Sequence, residues 1–167
     1  LSALGGDRLL AWVASFSRLS KPTAILLLVG PKSAGKGLFA NGLARVFEHG
    51  VPARASEALS DSFNGELADT PFIWGDEEVP KKGNRSLGAR LREIISSPST
   101  PLRRKHLPNV EIEGYVRVLI TANNSNILRD FSNDVPSEDD LAAIAERVFI
   151  VNAAIQARDV SERVAKE

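Results

Sequence analysis

Residues 24–37 read AILLLVGPKSAGKG and indicate the fold class of the chain. The first six, Ala24–Val29, form an apolar run with the length of a buried strand. The residues that follow repeat apolar side chains at helical spacing and reach a glycine placed as a helix C-terminal cap: Phe39, Leu43, Val46, Phe47 and Gly50. A strand, a glycine-containing loop and a helix in this order predict an α/β protein.

Helical and strand patterns alternate along the rest of the chain. The predicted elements are the helix Leu9–Phe16, the strand Pro71–Gly75, the helix Leu87–Ile95, one bent strand or two strands over Val110–Thr121 with Gly114 at the bend, the helix Ser137–Ile144, the strand Val148–Val151 and a polar C-terminal helix. Such alternation favours a parallel sheet flanked by helices.

The loop after the first strand matches the pattern G-x-x-x-x-G-K. Glycines in this pattern let backbone N–H groups surround a phosphate, and the next helix N-terminus adds positive potential. Lys36 is predicted to reach the β- and γ-phosphates of ATP. The whole loop is predicted to bind the nucleotide: Gly30, Pro31, Lys32, Ser33, Ala34, Gly35, Lys36 and Gly37. A glycine-rich turn with a surface lysine is the alternative interpretation.

Gly37 departs from the usual phosphate loop. Ser or Thr normally stands there and gives a hydroxyl to Mg²⁺. Any magnesium must then be held by Asp76, by water and by the phosphates. Asp76 and Glu77 end the apolar run FIWGDE at residues 72–77, and Glu77 is predicted to activate the attacking water, with Glu78 as a spare candidate. An ordinary acidic loop after a core strand is the alternative.

Two further polar residues follow or precede apolar strands. Residues 116–124 read VRVLITANN, and Asn123 is predicted to bond the γ-phosphate or the attacking water. Arg147 precedes Val148–Val151 and is a candidate for stabilising transition-state charge. Asparagine also favours turns, and an arginine at a helix end is common, so both keep a structural alternative. Tyr115 is predicted to be a core residue.

Composition excludes several classes of protein. The chain has 167 residues, 43% of them hydrophobic, with 21 basic and 21 acidic side chains and no net charge, which is typical of one globular domain rather than a disordered chain. Because the chain has no cysteine, it has no disulfide and no thiolate metal site. Two histidines are too few for a histidine-rich metal site. The chain begins at Leu1 and lacks methionine, so we expect it to be part of a longer protein.

Charge is unevenly distributed. Residues 81–105 carry eight basic side chains and one acid, whereas residues 57–78 carry seven acids and no base. A solvated surface explains such runs, and so does a polyanion contact or the head-to-tail packing of subunits.

With these pieces in order, the chain resembles the superfamily 3 helicases of viruses, phages and plasmids, a branch of the AAA+ ATPases. Residues 102–112 read LRRKHLPNVEI and precede the strand that ends at Asn123. They resemble the papillomavirus replicative helicase, in which an Arg-Lys-His hairpin precedes the strand bearing the sensor asparagine. Phe63, Asn64, Leu67 and the strand into Asp76 resemble helicase domains fused to phage primases.

The resemblance implies a five-stranded, mostly parallel AAA+ sheet of order 5-1-4-3-2 with a DNA-binding β-hairpin before the sensor strand. It also implies a hexameric ring. By position, Asp76 would hold Mg²⁺, Glu77 would be catalytic, Asn123 would be the sensor and Arg147 would enter the neighbouring subunit's site. The pore residues that meet single-stranded DNA would be Arg104, Lys105 and His106.

The expected function is an ATP-dependent DNA helicase or translocase of a phage or viral replication protein. It would be fused to, or act with, a primase or origin-binding domain, in the cytoplasm of an infected bacterium or the nucleus of a eukaryotic host. Another AAA+ ATPase, such as a loader or packaging motor, and a weakly hydrolysing nucleotide-binding assembly module are the alternatives. The expected organisation is a helical lead-in at 1–22, an ATPase core at 23–152 and a C-terminal helix at 153–167.

Overall fold

The computed structural model describes residues 3–47, 50–58, 64–77, 93–124 and 146–153. Alternating helices and strands occupy these ranges. They are α1 (Ala3–Ser15), β1 (Ile25–Val29), α2 (Lys36–Ala44), β2 (Ala53–Arg54), α3 (Ala55–Ala58), a 3-10 helix (Gly65–Ala68), β3 (Phe72–Asp76), one helical turn at 93–96, β4 (Ser99–Leu102), β5 (Val110–Glu113), β6 (Arg117–Ala122) and β7 (Val148–Asn152).

Five strands form a parallel sheet in the order β2-β3-β6-β1-β7. Numbered 1 to 5 among themselves along the chain, they lie in the order 5-1-4-3-2. In the register of the central strands, Leu28 lies beside Thr121 and Thr121 beside Asp76. The predicted parallel α/β sheet is confirmed, and the carboxyl ends of β3, β6 and β1 lie next to one another.

Both faces of this sheet are covered, which explains why β1 is apolar throughout instead of alternating. Leu26 and Leu28 pack on one side with α1, α2 and Phe72. Ile25, Leu27 and Val29 pack on the other with α3, the 3-10 helix and β4. Phe16 of the α1 end meets Phe72 edge to face, with ring centroids 4.9 Å apart.

The end of α1 is fixed to the sheet by Arg117, the first residue of β6, which is only 1% exposed. Its Nε donates to Phe16 O at 2.9 Å, and its Nη2 donates to the carbonyls of Ser15, Arg18 and Lys21 at 3.2, 2.6 and 3.1 Å. Burial lowers the pKa of Arg117. A cation here binds the carbonyls of the helix end and of the turn that follows it, and it complements the helix dipole.

The structure corrects two helix boundaries and settles one open choice. The first helix begins at Ala3 rather than at Leu9. The helix after the glycine loop ends at Ala44 rather than continuing to a cap at Gly50. Val46 and Phe47 donate to Leu43 and Ala44 at i to i−3 spacing, so the last turn tightens and the α-helix stops. Over Val110–Thr121 there are two strands, β5 and β6, with Gly114 between them at a φ of 108°.

Some predicted elements lie outside the described residues. These are the helix Ser137–Ile144, the C-terminal helix and most of Leu87–Ile95, of which the turn at 93–96 is described. Glu78 and Phe63 also lie outside. The domain boundaries after residues 22 and 152 stay predictions. In the described part of the chain, no helix has both the length and the apolar character needed to cross a bilayer.

Candidate functional site

The predicted phosphate loop begins where β1 ends, beside the carboxyl end of β6. Gly30 N donates to Ala122 O at 3.0 Å, so the loop starts next to Asn123. The other neighbour of β6 is β3, which ends at Asp76 and leads into Glu77. The sheet order therefore brings the loop, the asparagine and the two carboxylates together at the carboxyl ends of the strands.

The Lys36 side chain packs against the carboxyl ends of the strands and does not extend into solvent. It is only 7% exposed. Its Nζ donates to Gly30 O at 2.8 Å, to Pro31 O at 2.9 Å and to Asn123 Oδ1 at 3.1 Å. An ammonium has three donors, and here all three have acceptors. Lys36 is therefore not the surface lysine of the alternative interpretation, because it is buried and bonded.

The loop backbone turns sharply before α2. Ser33 and Gly35 have φ values of 66° and 81°, and Gly35 stands at the N-cap of α2, whose first residue is Lys36. Consecutive left-handed and right-handed residues make the concave run of N–H groups that suits an anion. The helix N-terminus behind it adds partial positive charge.

Gly30 is required for a reason that the sequence does not reveal. A Cβ on it would lie 2.5 Å from Ala153 O, because the chain leaving β7 passes close to the loop. Ala153 N also donates to Val29 O at 2.6 Å. The first glycine of the pattern thus makes room for the end of β7.

Asp76 is held by its neighbours in the sheet. Thr121 Oγ1 donates to Asp76 Oδ1 at 2.6 Å, and Trp74 Nε1 donates to Thr121 Oγ1 at 3.2 Å. Asp76 itself is exposed, so its carboxylate keeps further lone pairs available at the edge of the site. Glu77 is also exposed, with a φ of 54°, and its N–H donates to Thr121 O at 2.8 Å.

Gly37 lies against the indole of Trp74. A Cβ at residue 37 would stand 3.7 Å from two ring carbons of Trp74, which is ordinary van der Waals contact. The space beside the loop is therefore filled by a side chain from β3. A serine Cβ would fit there without displacing the ring.

Arg147 lies at the opposite end of the strands, where their amino ends meet. Its carbonyl accepts from Ile25 N at 2.8 Å, where β1 begins, whereas the phosphate loop follows the last residue of β1. The five residues of β1, about 16 Å long, separate its amino end from its carboxyl end. Its guanidinium is 3.9 Å from the carboxylate of Glu146. The structure does not bring Arg147 to the phosphate loop of its own chain.

The last three basic residues of the run at 81–105, Arg103, Arg104 and Lys105, lie in the loop of a hairpin. β4 and β5 pair antiparallel, with Leu102 opposite Val110, and residues 103–109 connect them. Lys105 and His106 are exposed in this loop, and His106 has a φ of 60°. Arg103, Arg104 and Lys105 do not lie in a strand, because β4 ends at Leu102 and the chain turns.

Arg104 differs from its two neighbours in the loop. It is half-buried, its stem lies against Gly65, where a Cβ would be 2.7 Å from Arg104 Cγ, and its Nε is buried without a hydrogen-bond partner among the described residues. Of the three residues predicted to meet DNA, Lys105 and His106 are exposed and Arg104 is not. Tyr115, expected in the core, is half-buried, and its N–H donates to Leu19 O at 2.7 Å.

Asn64 fixes the base of the hairpin. Its Nδ2 donates to Pro101 O at 2.9 Å, its Oδ1 accepts from Arg103 N at 2.7 Å, and its backbone N donates to Arg103 O at 3.1 Å. Because Asn64 is buried and both its side-chain polar atoms are bonded to the hairpin, it attaches the base of the hairpin to the segment before the 3-10 helix.

Sequence reasoning did not predict the structural roles of four residues that organise these sites: Asn64, Trp74, Arg117 and Thr121. Three of them depend on the tertiary neighbours of a side chain, which no local pattern contains. For Thr121 a signal existed, because a hydroxyl two residues before Asn123 falls at the carboxyl end of a strand. In the described ranges, no group of three or more His, Asp or Glu side chains forms a ready-made metal site.

Comparison with known families gives a match over residues 28–140 to DUF5906, a family of unknown function. The chain belongs to this family. A curated relative of this DUF5906 chain is the DNA primase-polymerase of Nitratiruptor phage NrS-1, which is 25% identical over 118 residues. The match covers 68% of the chain but 16% of the relative, so the chain spans about a sixth of that protein.

Solved structures resemble the DUF5906 chain in fold. The apo C-terminal region of NrS-1 matches with a TM-score of 0.65 at 18% identity, over 94% of this chain and 36% of that one. JCV helicase, solved with a bound thiazolopyridine compound, matches with a TM-score of 0.54 at 16% identity, over 94% and 42%. The chain therefore has the fold of a phage replication protein's C-terminal region and of a viral helicase.

Proposed function

We propose that this DUF5906 chain is the ATP-driven DNA helicase or translocase motor of a phage or viral replication protein. One observation carries the proposal: Lys36 and Asn123 are joined by a hydrogen bond at the edge where Asp76 is fixed by Thr121. A phosphate-loop lysine, a carboxylate and an amide in this arrangement suit nucleotide binding and hydrolysis.

Each residue of the proposed site has its own role in nucleotide binding or hydrolysis. Backbone N–H groups of the loop and the α2 N-terminus bind the phosphates, and Lys36 exchanges part of its loop contacts for phosphate oxygen. Asp76 holds Mg²⁺, Glu77 accepts the proton of the attacking water, and Asn123 orients that water or the γ-phosphate. ATP with Mg²⁺ supplies the phosphoryl group whose cleavage drives movement.

Support for a member of the superfamily 3 branch of AAA+ comes from the strand order 5-1-4-3-2 and from the basic hairpin before β6. Lys105 gives a point charge to backbone phosphate, and the His106 ring stacks on a base or donates to the strand. Arg147 completes the site of a neighbouring subunit, since it lies away from its own. This arrangement requires an oligomer, which we propose is a hexameric ring.

The likeness to the phage primase-polymerase suggests the setting. The motor would act with, or be joined to, a primase or origin-binding domain on single-stranded DNA. It would work in the cytoplasm of an infected bacterium, or in the nucleus if the source is a eukaryotic virus.

The test is the ATPase rate with and without single-stranded DNA, together with the mass in solution with and without nucleotide. We expect DNA to stimulate hydrolysis and nucleotide to increase the mass. Glu77→Gln should bind ATP but not hydrolyse it, because the amide keeps the shape and loses the base. Hydrolysis in Glu77→Gln at the parent rate would contradict the assignment of the base.

Gly37 favours a second candidate, a nucleotide-binding assembly module that hydrolyses slowly or not at all. The loop lacks the hydroxyl that normally meets Mg²⁺. Binding of ATP without turnover, with or without DNA, would support this candidate. Turnover that DNA does not stimulate would instead favour a loader or packaging ATPase.

A further inference from the structure

We propose that Thr121 is the positioning residue that holds Asp76 in place for magnesium and offsets the hydroxyl that residue 37 lacks. The proposal rests on the proposed function, because it concerns the same nucleotide site. It follows from a chain of three side chains, Trp74, Thr121 and Asp76, joined by hydrogen bonds of 3.2 and 2.6 Å.

The donors and acceptors fix the direction of this chain. An indole N–H only donates, so the Thr121 oxygen must accept from Trp74. A hydroxyl has one proton, and the Thr121 oxygen is 2.6 Å from Asp76 Oδ1 but 3.4 Å from Gly75 O. The proton therefore goes to Asp76, and the hydroxyl donates to the carboxylate.

Burial makes this hydroxyl difficult to replace. Thr121 is 0% exposed, whereas Asp76 at the strand end is exposed. Water reaches the carboxylate but not the side of Thr121 that binds it. Carboxylates that ligate a metal are commonly oriented by such outer-shell hydrogen bonds. Removing one typically weakens metal binding by about 10- to 100-fold.

Trp74 links this chain of bonds to the altered loop position. Its ring lies beside Gly37, while its Nε1 bonds Thr121. The same side chain thus fills the space next to the missing hydroxyl and polarises the hydroxyl that remains. These residues fit a magnesium ion, because Asp76 offers an oriented, solvent-facing carboxylate beside the phosphate loop.

The experiment measures binding of a fluorescent N-methylanthraniloyl ATP analogue as a function of Mg²⁺ concentration. Thr121→Val removes the hydroxyl and keeps the branched shape, and Thr121→Ser is the matched control that keeps the hydroxyl. We expect Thr121→Val to need about tenfold more Mg²⁺ for half-maximal binding, and Thr121→Ser to stay near the parent. Binding of the analogue without Mg²⁺ should be equal in all three.

Two further variants complete the test. Trp74→Phe keeps a ring beside Gly37 and removes the N–H, so it should raise the Mg²⁺ requirement in the same direction but less. Adding Gly37→Ser to Thr121→Val should restore part of the lost Mg²⁺ affinity, because a serine Cβ fits against the ring.

The outcomes separate the two proposals. If the parent protein does not bind the analogue at all, the proposed function fails and this inference fails with it. If the parent binds in a Mg²⁺-dependent way and Thr121→Val matches it, only the role of Thr121 is overturned. If Thr121→Val does not fold, a Trp74→Phe requirement equal to that of the parent overturns it.

Discussion

At the scale of single residues, the burial of Lys36 changes what its removal should do. Loss of an exposed loop lysine would leave the fold intact, but the structure buries Lys36 and gives its ammonium three oxygen acceptors. One of these acceptors is the proposed sensor, Asn123. Lys36 is thus part of the structure of the loop as well as its proposed phosphate ligand.

Lys36→Ala should therefore abolish ATP binding and also lower stability by about 1–3 kcal/mol, because buried acceptors lose a charged donor. Calorimetric titration with ATP and thermal unfolding measure the two effects. Lys32→Ala is the control for stability, since Lys32 is exposed in the same loop. Equal melting temperatures for Lys36→Ala and Lys32→Ala would show that the lysine contacts carry no stability.

Two glycines of the loop should respond differently to the same added methyl group. Gly30→Ala should destabilise the protein by about 1–3 kcal/mol, because its Cβ would stand 2.5 Å from a backbone oxygen that must move. Gly37→Ala, whose Cβ meets a ring at 3.7 Å, should change stability little. Denaturant unfolding of both variants tests this, and equal losses would argue against the close passage at Ala153.

At the scale of elements, the hairpin β4–β5 is a separate unit set beside the sheet. Local pattern predicts the apolar strands well, since buried parallel strands are continuous apolar runs. It does not predict where the basic residues lie in the hairpin, because the position of the turn depends on Asn64, which is distant in sequence. The glycine loop is recognised from sequence because its pattern is local. The bonds of Thr121 and Trp74 are not, because they join residues that are distant in sequence.

Lys105→Ala combined with His106→Ala should weaken single-stranded DNA binding and abolish DNA-stimulated hydrolysis and unwinding, while basal ATPase persists. Loss of Lys105 should also lower the slope of log affinity against log salt by about 0.7, the value for one neutralised phosphate. Lys21→Ala is the charge-matched control, because Lys21 is exposed near the α1 end. Fluorescence anisotropy at several salt concentrations measures both quantities.

A double variant that binds and unwinds DNA as the parent does would remove the hairpin from the DNA path. The non-helicase ATPase would then be the better description of the chain. Because Arg104 is half-buried against Gly65, Arg104→Ala should instead loosen the hairpin, which thermal unfolding would register.

At the scale of the whole molecule, the parallel sheet separates two groups of residues. The predicted phosphate loop, Asp76 and Asn123 lie at the carboxyl ends of the strands, and Arg147 lies at their amino ends. A contribution of Arg147 to hydrolysis must therefore come from a second copy of the chain.

Lys36→Ala and Arg147→Ala should each be inactive alone, yet mixing them should restore part of the ATPase activity. In random head-to-tail assembly at equal amounts, about a quarter of the interfaces join an intact lysine to an intact arginine. Mixing Lys36→Ala with Glu77→Gln is the control, because both changes affect the same side of an interface. Full activity of Arg147→Ala alone, or restoration at dilutions where only monomers exist, would contradict a role across subunits.

Lys36 and Arg147 lie at opposite ends of the β-strands, so if Arg147 acts across subunits as proposed, each subunit would carry one half of two different active centres. A lone subunit then has no complete centre, an open row has one fewer than its number of subunits, and only a closed circle has as many centres as chains. Turnover per chain should accordingly rise with protein concentration and level off when the circle closes. A single broken contact would cost such an assembly one centre and leave the others at work.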